Sequence, residues 1–575
     1  MFSRFVGLAV CVAFGAASPA PLVYPATGIV VDETASLTVG GVAVPLAFEA
    51  GSPARGVGPP PLPSTRARWA SDAALPCELR VEGTADRWAD AALRTAGRDL
   101  DFVLLEHGGA VVVRFSLGPG HAYLVDGRGG RRYYFWVDAT AAAARPPGAV
   151  QVAAGAAGAG WLEAALRTHT SVALGPGVHG TDAFALPPGA SLFLEAGAVL
   201  RYDGPDRDAD LGAFVSVSGD GASLAGVGTF DAAGFHGRHV LAEGATNVTV
   251  RDVFFQGSRG WGLHFRRCAA VRVFNVKIFS GADGVDPDAS RDVEIDGVFI
   301  HAWDDAVAVK TTVAGSPATN VAVANSIVST RKSAFKLGTE SLSDFTRVSF
   351  ATSDVFDSGR GLVIYAKDGG AFDDVAFEDL RLLDFHDYPG EPSAPVDFEL
   401  EHRSGYSAVR GVRVERVVAD WPSAAVLRGN DHVLLSGVAF SNLTLKSPRA
   451  LRRQRDVPLR LQERRHRRRR RRGRGPRRRL GRAPRRLARA LAPLGGRGPG
   501  RRSRVPLPGP ARRPRRGAPA GRARRGARGL GDILRDRSGS GGPTTPPRAS
   551  RRAPLEAGRL RHLTRSSDKS SLRGA

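Results

Sequence analysis

Four aspartates crowd one short stretch of this chain: Asp283, Asp286, Asp304 and Asp305. Carboxylates brought together repel. At least one must then be pushed upward in pKa and keep its proton near neutral or mildly acidic pH. A protonated acid beside ionised neighbours is what glycosidic bond cleavage requires. The acid protonates the leaving oxygen. An opposing carboxylate activates water across a gap of roughly 6.5–9.5 Å, or attacks directly across roughly 5–5.5 Å. Two other uses of clustered aspartate stand beside this one. Several carboxylate oxygens suit Ca²⁺, and Asp283-Gly284 and Asp286-Pro287-Asp288 have the composition of plain turns.

The choice turns on whether the chain brings these residues together, and it carries a period that does. From residue 171 a unit recurs: a small or polar residue, Val, any residue, then an apolar one. It begins at Val248, Val271, Val293, Val321, Val348, Val375, Val412 and Val433, with spacings of 23, 22, 28, 27, 27, 37 and 21 residues. Repeats of this length mark a solenoid. The alternation makes each unit a strand with one face inward. There is no room for a helix in every repeat and no recurring Leu ladder with Asn, so the prediction is a parallel β-helix. A β-sandwich with accidental spacing is the competing reading. Asp283 lies 12 residues after Val271, and Asp305 lies 12 after Val293. They share one slot on successive rungs, about 4.8 Å apart at the backbone. Asp304 is one residue earlier. The next rung's slot, 12 after Val321, holds Ser333.

The rest of the chain divides by composition. The formal charge of +25 over 575 residues is unevenly spread. Residues 451–575 hold 42 Lys+Arg and 6 Asp+Glu, which leaves residues 1–450 at −11. The body is mildly acidic, and no nucleic-acid partner is expected of it. Arg4 followed by the apolar run Phe5–Ala17 reads as a signal peptide over residues 1–20, so the protein is expected to be secreted, without a membrane span. Residues 24–140 hold short strand-like runs such as Phe102–Leu105 and Ala110–Leu117 and are expected to form a small all-β, sandwich-like domain. Residues 141–170, rich in Ala, Gly and Pro, read as a linker. The β-helix is expected over 171–446. Residues 447–575 have no aromatic side chain and an Arg run from Arg467 to Arg472. They read as a disordered basic tail, or as a GC-rich message translated out of frame. Cys77 and Cys268 are either one disulfide or two buried thiols. No metal-ligand cysteine pattern is present, no cofactor is required, and a monomer acting on a polysaccharide is expected.

The segments Gly281–Asp288 and Trp303–Lys310 resemble glycoside hydrolase family 28, the polygalacturonases and rhamnogalacturonases. More distantly they are similar to the dextranase and isopullulanase family, whose members carry a β-sandwich before the β-helix. The family's Asn-Thr-Asp-Gly-x-Asp motif matches from Asp283 to Asp286, and its Gly-Asp-Asp matches at Asp304-Asp305. The resemblance covers roughly residues 173–446. It implies an inverting hydrolase on a right-handed β-helix, with Asp304 as general acid and Asp283 and Asp305 holding and activating water. Departures are specific. The family's Asn is Gly281, its Gly before the paired aspartates is Trp303, its Gly-His-Gly falls at Lys332-Ser333-Ala334, and its Arg-Ile-Lys falls at Val363-Ile364-Tyr365. The loss of those basic residues argues against strict polygalacturonate specificity. Asp286, Trp303, Lys310, Ser333, Lys336, Arg360, Tyr365 and Lys367 are the expected substrate-binding residues. Trp303 and Tyr365 either stack on sugar rings or pack within the protein. Two rival functions remain at this point: a polysaccharide lyase on the same fold, and a non-catalytic carbohydrate-binding β-helix.

Overall fold

The computed structural model describes residues 20–445 except 26–29, 50–63, 89, 127–130, 206–211, 384, 386–392, 422, 431 and 433–434. The signal-like segment up to residue 19 and the arginine-rich stretch 447–575 lie outside the described residues.

Residues 22–138 form two facing sheets. One has five strands, running in space from Val42–Val44 through Ala35–Val39, Leu75–Glu82 and Ala110–Leu117 to Phe102–His107. The other has seven, with Ser64–Ala70, Arg132–Asp138 and Gly120–Val125 side by side. Leu79, Val81, Val111 and Val113 of the first pack on Trp69, Leu124, Tyr133 and Phe135 of the second, which is the core of a sandwich. Arg132–Asp138 is buried at all seven positions, because its other face is covered too. Tyr134 and Trp136 sit on Phe254, Phe279 and Phe299 of the following domain, and Tyr123 stacks on Phe356 at 4.2 Å.

That domain is a right-handed parallel β-helix. Each coil contributes to three parallel ladders, with Phe345–Phe356 and Ala371–Leu383 each running through the first two as one strand. In the coil that contains Asp283 the three strands are Ala269–Phe274, Lys277–Ser280 and Val285–Asp288. We call them the anchor, middle and site ladders. The valine anchors explain the first. Val271 pairs with Val293, then in turn Val321, Val348, Val375 and Val412. The small or polar residue before each anchor is a corner with positive φ, as at Asn247, Asp292, Asn320 and Asp374 (53–58°). Five residues later a second such corner closes the strand, at Asp252, Asn275, Gly297 and Asn325 (51–68°). Asn, Asp and Gly tolerate this left-handed conformation best, so the sequence itself writes the corners. Between them, alternate side chains point inward and stack rung on rung. Phe350 lies over Phe377 at 5.2 Å, and just before the first corner Phe345 lies over Phe372 at 4.3 Å. Each such burial contributes about 1.5–3 kcal/mol.

The expected eighth anchor, Val433, lies outside the described residues, and the strand laid on Val412 begins at Val438. Alternation alone pointed to Val433, whereas the corner glycine Gly437 (φ 64°) precedes Val438. The stretch read as a linker, 141–170, carries the solenoid's first strand and its cap. Val150–Val152 pairs in parallel with Ser171–Leu174. The helix Trp161–Thr168 drives Leu162 and Leu166 into the core, covering an end that would otherwise expose apolar side chains. Cys77 and Cys268 are separate buried thiols, one in each domain. No helix among the described residues is long and apolar enough to cross a membrane.

Candidate active site

The site lies at the corner where the chain passes from the middle ladder to the site ladder. Val285 pairs with Val307 and Val307 with Phe335. Each partner two residues earlier therefore falls in one column: Asp283, Asp305, Ser333. Ser333 pairs directly with Arg360. The offset of 12 residues from the anchor holds for all four. Parallel pairing fixes the column, since Gly284 N–H donates to Asp305 O at 2.9 Å and Ala306 N–H to Ser333 O at 2.8 Å.

One carboxylate oxygen each from Asp283, Asp304 and Asp305 lies within 4.8 Å of the others. Their surroundings differ. Asp283 and Asp305 are sealed, with side chains 4% and 3% exposed, whereas Asp304 is 37% exposed and faces solvent. Lys310 Nζ donates to Asp283 Oδ2 at 2.8 Å, and Lys336 Nζ donates to Asp305 Oδ2 at 2.6 Å. Asp305 Oδ1 accepts from Ser333 N–H at 3.1 Å. Burial alone would raise the pKa of Asp305. The charges of Lys336 and Lys310, with the hydrogen bonds from Lys336 and Ser333, outweigh it and hold the group down at about 2. Asp304 is driven the other way. Burial of its carboxyl and the charges of Asp305 and Asp283 push it up to about 6, although Lys332 Nζ stands 3.5 Å away and pulls against them. Asp286 lies beneath, fully buried, with Lys310 Nζ 3.3 Å from Oδ1. Burial and the charge of Asp283 push it well above the ordinary carboxylate range, so it stays protonated. The result is one half-open acid beside two sealed, lysine-braced carboxylates.

The expected binding residues separate into two groups. Lys310, Lys336 and Asp286 belong to the buried support of the aspartates. Ser333 takes a hydrogen bond from Arg360 Nε at 3.1 Å and lines the column. The aromatic rings are already engaged. Arg331 lies over Trp303 at 4.9 Å, and Tyr365 has Lys367 at 4.9 Å and Lys336 at 5.4 Å from its ring centre. Tyr365 OH donates to Asp397 at 2.7 Å, and Lys367 pairs with Glu401 at 2.8 Å. Trp261 escaped the sequence reading. It stands one rung before Asp283, since Leu263 pairs with Val285, and it carries Lys310 at 4.9 Å from its ring centre. A β-bulge between Phe255 and Ser258 lengthens its coil by one residue, so a count of 12 from Val248 lands on Gly260. The three aspartate oxygens have the spacing to hold a cation, but two ammonium groups already supply positive charge at Asp283 and Asp305.

No family model matches the chain, and no curated protein matches it. Among solved structures it is similar to Dex49A from Penicillium minioluteum at 10% identity and a TM-score of 0.52, over 74% of this chain and 91% of that one. It is also similar to a polygalacturonase from Erwinia carotovora ssp. carotovora at 16% identity and a TM-score of 0.48, over 56% and 98%. An endo-xylogalacturonan hydrolase from Aspergillus tubingensis follows at 14% identity and a TM-score of 0.40, over 54% and 98%. The ladder register and the likeness to Dex49A agree on the architecture: the chain has the pectin-lyase-like fold, a right-handed parallel β-helix, with a β-sandwich before it.

Proposed function

We propose that the protein is a glycoside hydrolase that cleaves O-glycosyl bonds of a polysaccharide with inversion. The observation that carries this is the division of labour among three clustered carboxylates. Asp304 is the acid: half-open to solvent, with its pKa pushed up to about 6. Asp283 and Asp305 hold the attacking water. One water accepted by two oxygens at 2.7–2.8 Å sets them roughly 4.4 Å apart, which fits oxygens within 4.8 Å of one another. Lys310 and Lys336 hold both acceptors in place. The same closeness favours a second reading, in which one carboxylate attacks the sugar directly and the anomer is retained. A lyase fits the site less well. It needs a basic residue free to take a proton, and the charges of Asp283 and Asp305 hold Lys310 well above its ordinary range against the effect of burial.

The apolar run at residues 5–17 supports export, so the substrate would be met outside the cell. The test is product analysis of the full chain on a broad polysaccharide panel. New reducing ends without unsaturated, ultraviolet-absorbing sugars support hydrolysis. Unsaturated ends establish a lyase, and binding without any cleavage establishes a carbohydrate-binding module.

A further inference from the structure

Six asparagines occur in the whole chain, and two of them open an Asn-x-Thr triplet: Asn247-Val248-Thr249 and Asn442-Leu443-Thr444. In a chain that enters the secretory route, such a triplet accepts an N-linked glycan where its asparagine lies at the surface. Asn247 stands at the corner that leads from the site ladder into the anchor ladder, between Arg238–Glu243 and Thr249–Arg251. Asn442 stands at the corner that closes the last described anchor strand, Val438–Ser441. Both have positive φ, 58° and 53°. Asparagine tolerates that conformation, so the corner accounts for the asparagine. It does not account for the threonine two residues later. After the matching corners Asp292, Asn320 and Asp374 that position holds Glu294, Ala322 and Ala376, and after Asn275 and Asn325 it holds Lys277 and Ile327.

The side chains set the two apart from the other four. Asn275 donates its amide to Asp138 and Asp252, each at 2.9 Å, Asn320 to Asp292 at 2.7 Å, and Asn325 to Asp296 at 2.6 Å. Asn430 turns its side-chain oxygen to His432 N–H at 2.9 Å. Asn247 and Asn442 are exposed, and their side chains bond to nothing among the described residues. A glycan replaces one amide hydrogen, so a nitrogen already donating to a carboxylate would have to give that bond up. These two have none to give up. Thr249 lies on the outer face of the anchor ladder, in one column with the exposed Arg272 and Glu294, and Thr444 is itself exposed. Neither corner is the one between the middle and site ladders, where the aspartates sit, so glycans there leave the cleft open.

Beyond the glycosidase reading, and resting on the export reading above, we propose that Asn247 and Asn442 carry N-linked oligosaccharides. In the transfer the amide nitrogen forms a bond to the anomeric carbon of an oligosaccharide carried on a lipid diphosphate. The bond from that carbon to the diphosphate oxygen breaks, the lipid diphosphate departs, and the amide gives up one proton.

The test expresses the full chain with its own N-terminus in a eukaryotic secretory host. Protein from the medium is treated with a peptide N-glycosidase in H₂¹⁸O, which turns each carrier asparagine into an aspartate bearing ¹⁸O. Peptide mass spectrometry then reads the positions. We expect label at Asn247 and Asn442 in the wild type. Thr249→Ala and Thr444→Ala keep the corner asparagines and should each lose one label, whereas Thr249→Ser and Thr444→Ser should keep both. Secreted protein without label overturns the proposal, label at one position overturns it for the other, and label that survives the alanine variants is deamidation and overturns it too. A second version of the full chain carries a foreign secretory leader. If only that version reaches the medium, the export reading fails and the proposal falls with it. Every one of these results leaves the hydrolase reading untouched.

Discussion

Two places in this molecule bury lysines among aspartates, and they are built to opposite ends. At the seam between the sandwich and the solenoid, Asp138 receives Arg68 at 2.6 Å and Lys277 at 2.5 Å, with Asn275 donating at 2.9 Å. Lys277 and Asp138 are both fully buried. Burial would raise Asp138, but the charges of Arg68 and Lys277 hold it well below the ordinary range. Burial and the charge of Arg68 bring Lys277 down to about 8. At the aspartate corner, carboxylates outnumber the sealed lysines and one of them, Asp304, stays half-open. The seam sets two cations on one carboxylate and excludes water, and it locks two domains together. The corner keeps an excess of negative charge beside solvent, so one proton is retained where a substrate can reach it. The sign of the excess charge and its access to solvent, rather than the mere presence of buried charge, distinguish a site for chemistry from a structural bolt.

Substitutions should separate the two. Asp304→Asn should lower kcat/KM by about 10³-fold on any substrate the wild type cleaves, with the fold intact, because it removes the acid. Circular dichroism and initial rates check both halves. Lys277→Ala should do the reverse. It leaves Asp138 buried with one cation fewer and should cost about 3 kcal/mol of unfolding free energy, while kcat per folded molecule is kept. Denaturant unfolding followed by active-site-normalised rates reads this.

The pH responses should also diverge. Activity should fall about tenfold per pH unit above about 6, as Asp304 loses its proton. The stability signs follow from the same groups. The pKa of Asp304 is raised in the fold, so its contribution is full below its ordinary 3.8 and is lost as pH rises through about 6. Asp304→Asn should therefore melt higher than the wild type above pH 6. Asp138 is depressed, so its contribution is present above 3.8 and is lost as pH falls below that value. A melting-temperature profile that lacks this difference would undo the comparison. The smallest effect should be at Ser333. Ser333→Ala deletes the hydroxyl that receives Arg360 but keeps the backbone N–H on Asp305, so kcat/KM should drop less than about fivefold.

Much of the corner was legible in the sequence because its geometry is local and periodic. The corner residues Asn, Asp and Gly mark each anchor, and a fixed count of 12 then reaches Asp283, Asp305, Ser333 and Arg360. The count fails where the coil changes length. The bulge between Phe255 and Ser258 hides Trp261. On the last coils, Arg360 pairs with Ala394, well beyond a count of 12 from Val375, and this hides Asp397. The role of the lysines was hidden for another reason. A periodic pattern tells which face a side chain occupies, not whether it turns to a ligand or to a neighbouring carboxylate. The seam was invisible altogether, because Asp138 and Lys277, or Asp99 and Arg381, meet only after both domains have folded.

The most direct test follows the reaction in H₂¹⁸O with the wild type and Asp304→Asn, reading the first product by mass spectrometry and by NMR of its anomeric proton. We expect ¹⁸O at the new anomeric carbon, an inverted anomer, and loss of both signals in the variant. An unlabelled, unsaturated product, a retained anomer, or full activity without the Asp304 carboxyl would contradict the assignment of acid and water to these three aspartates.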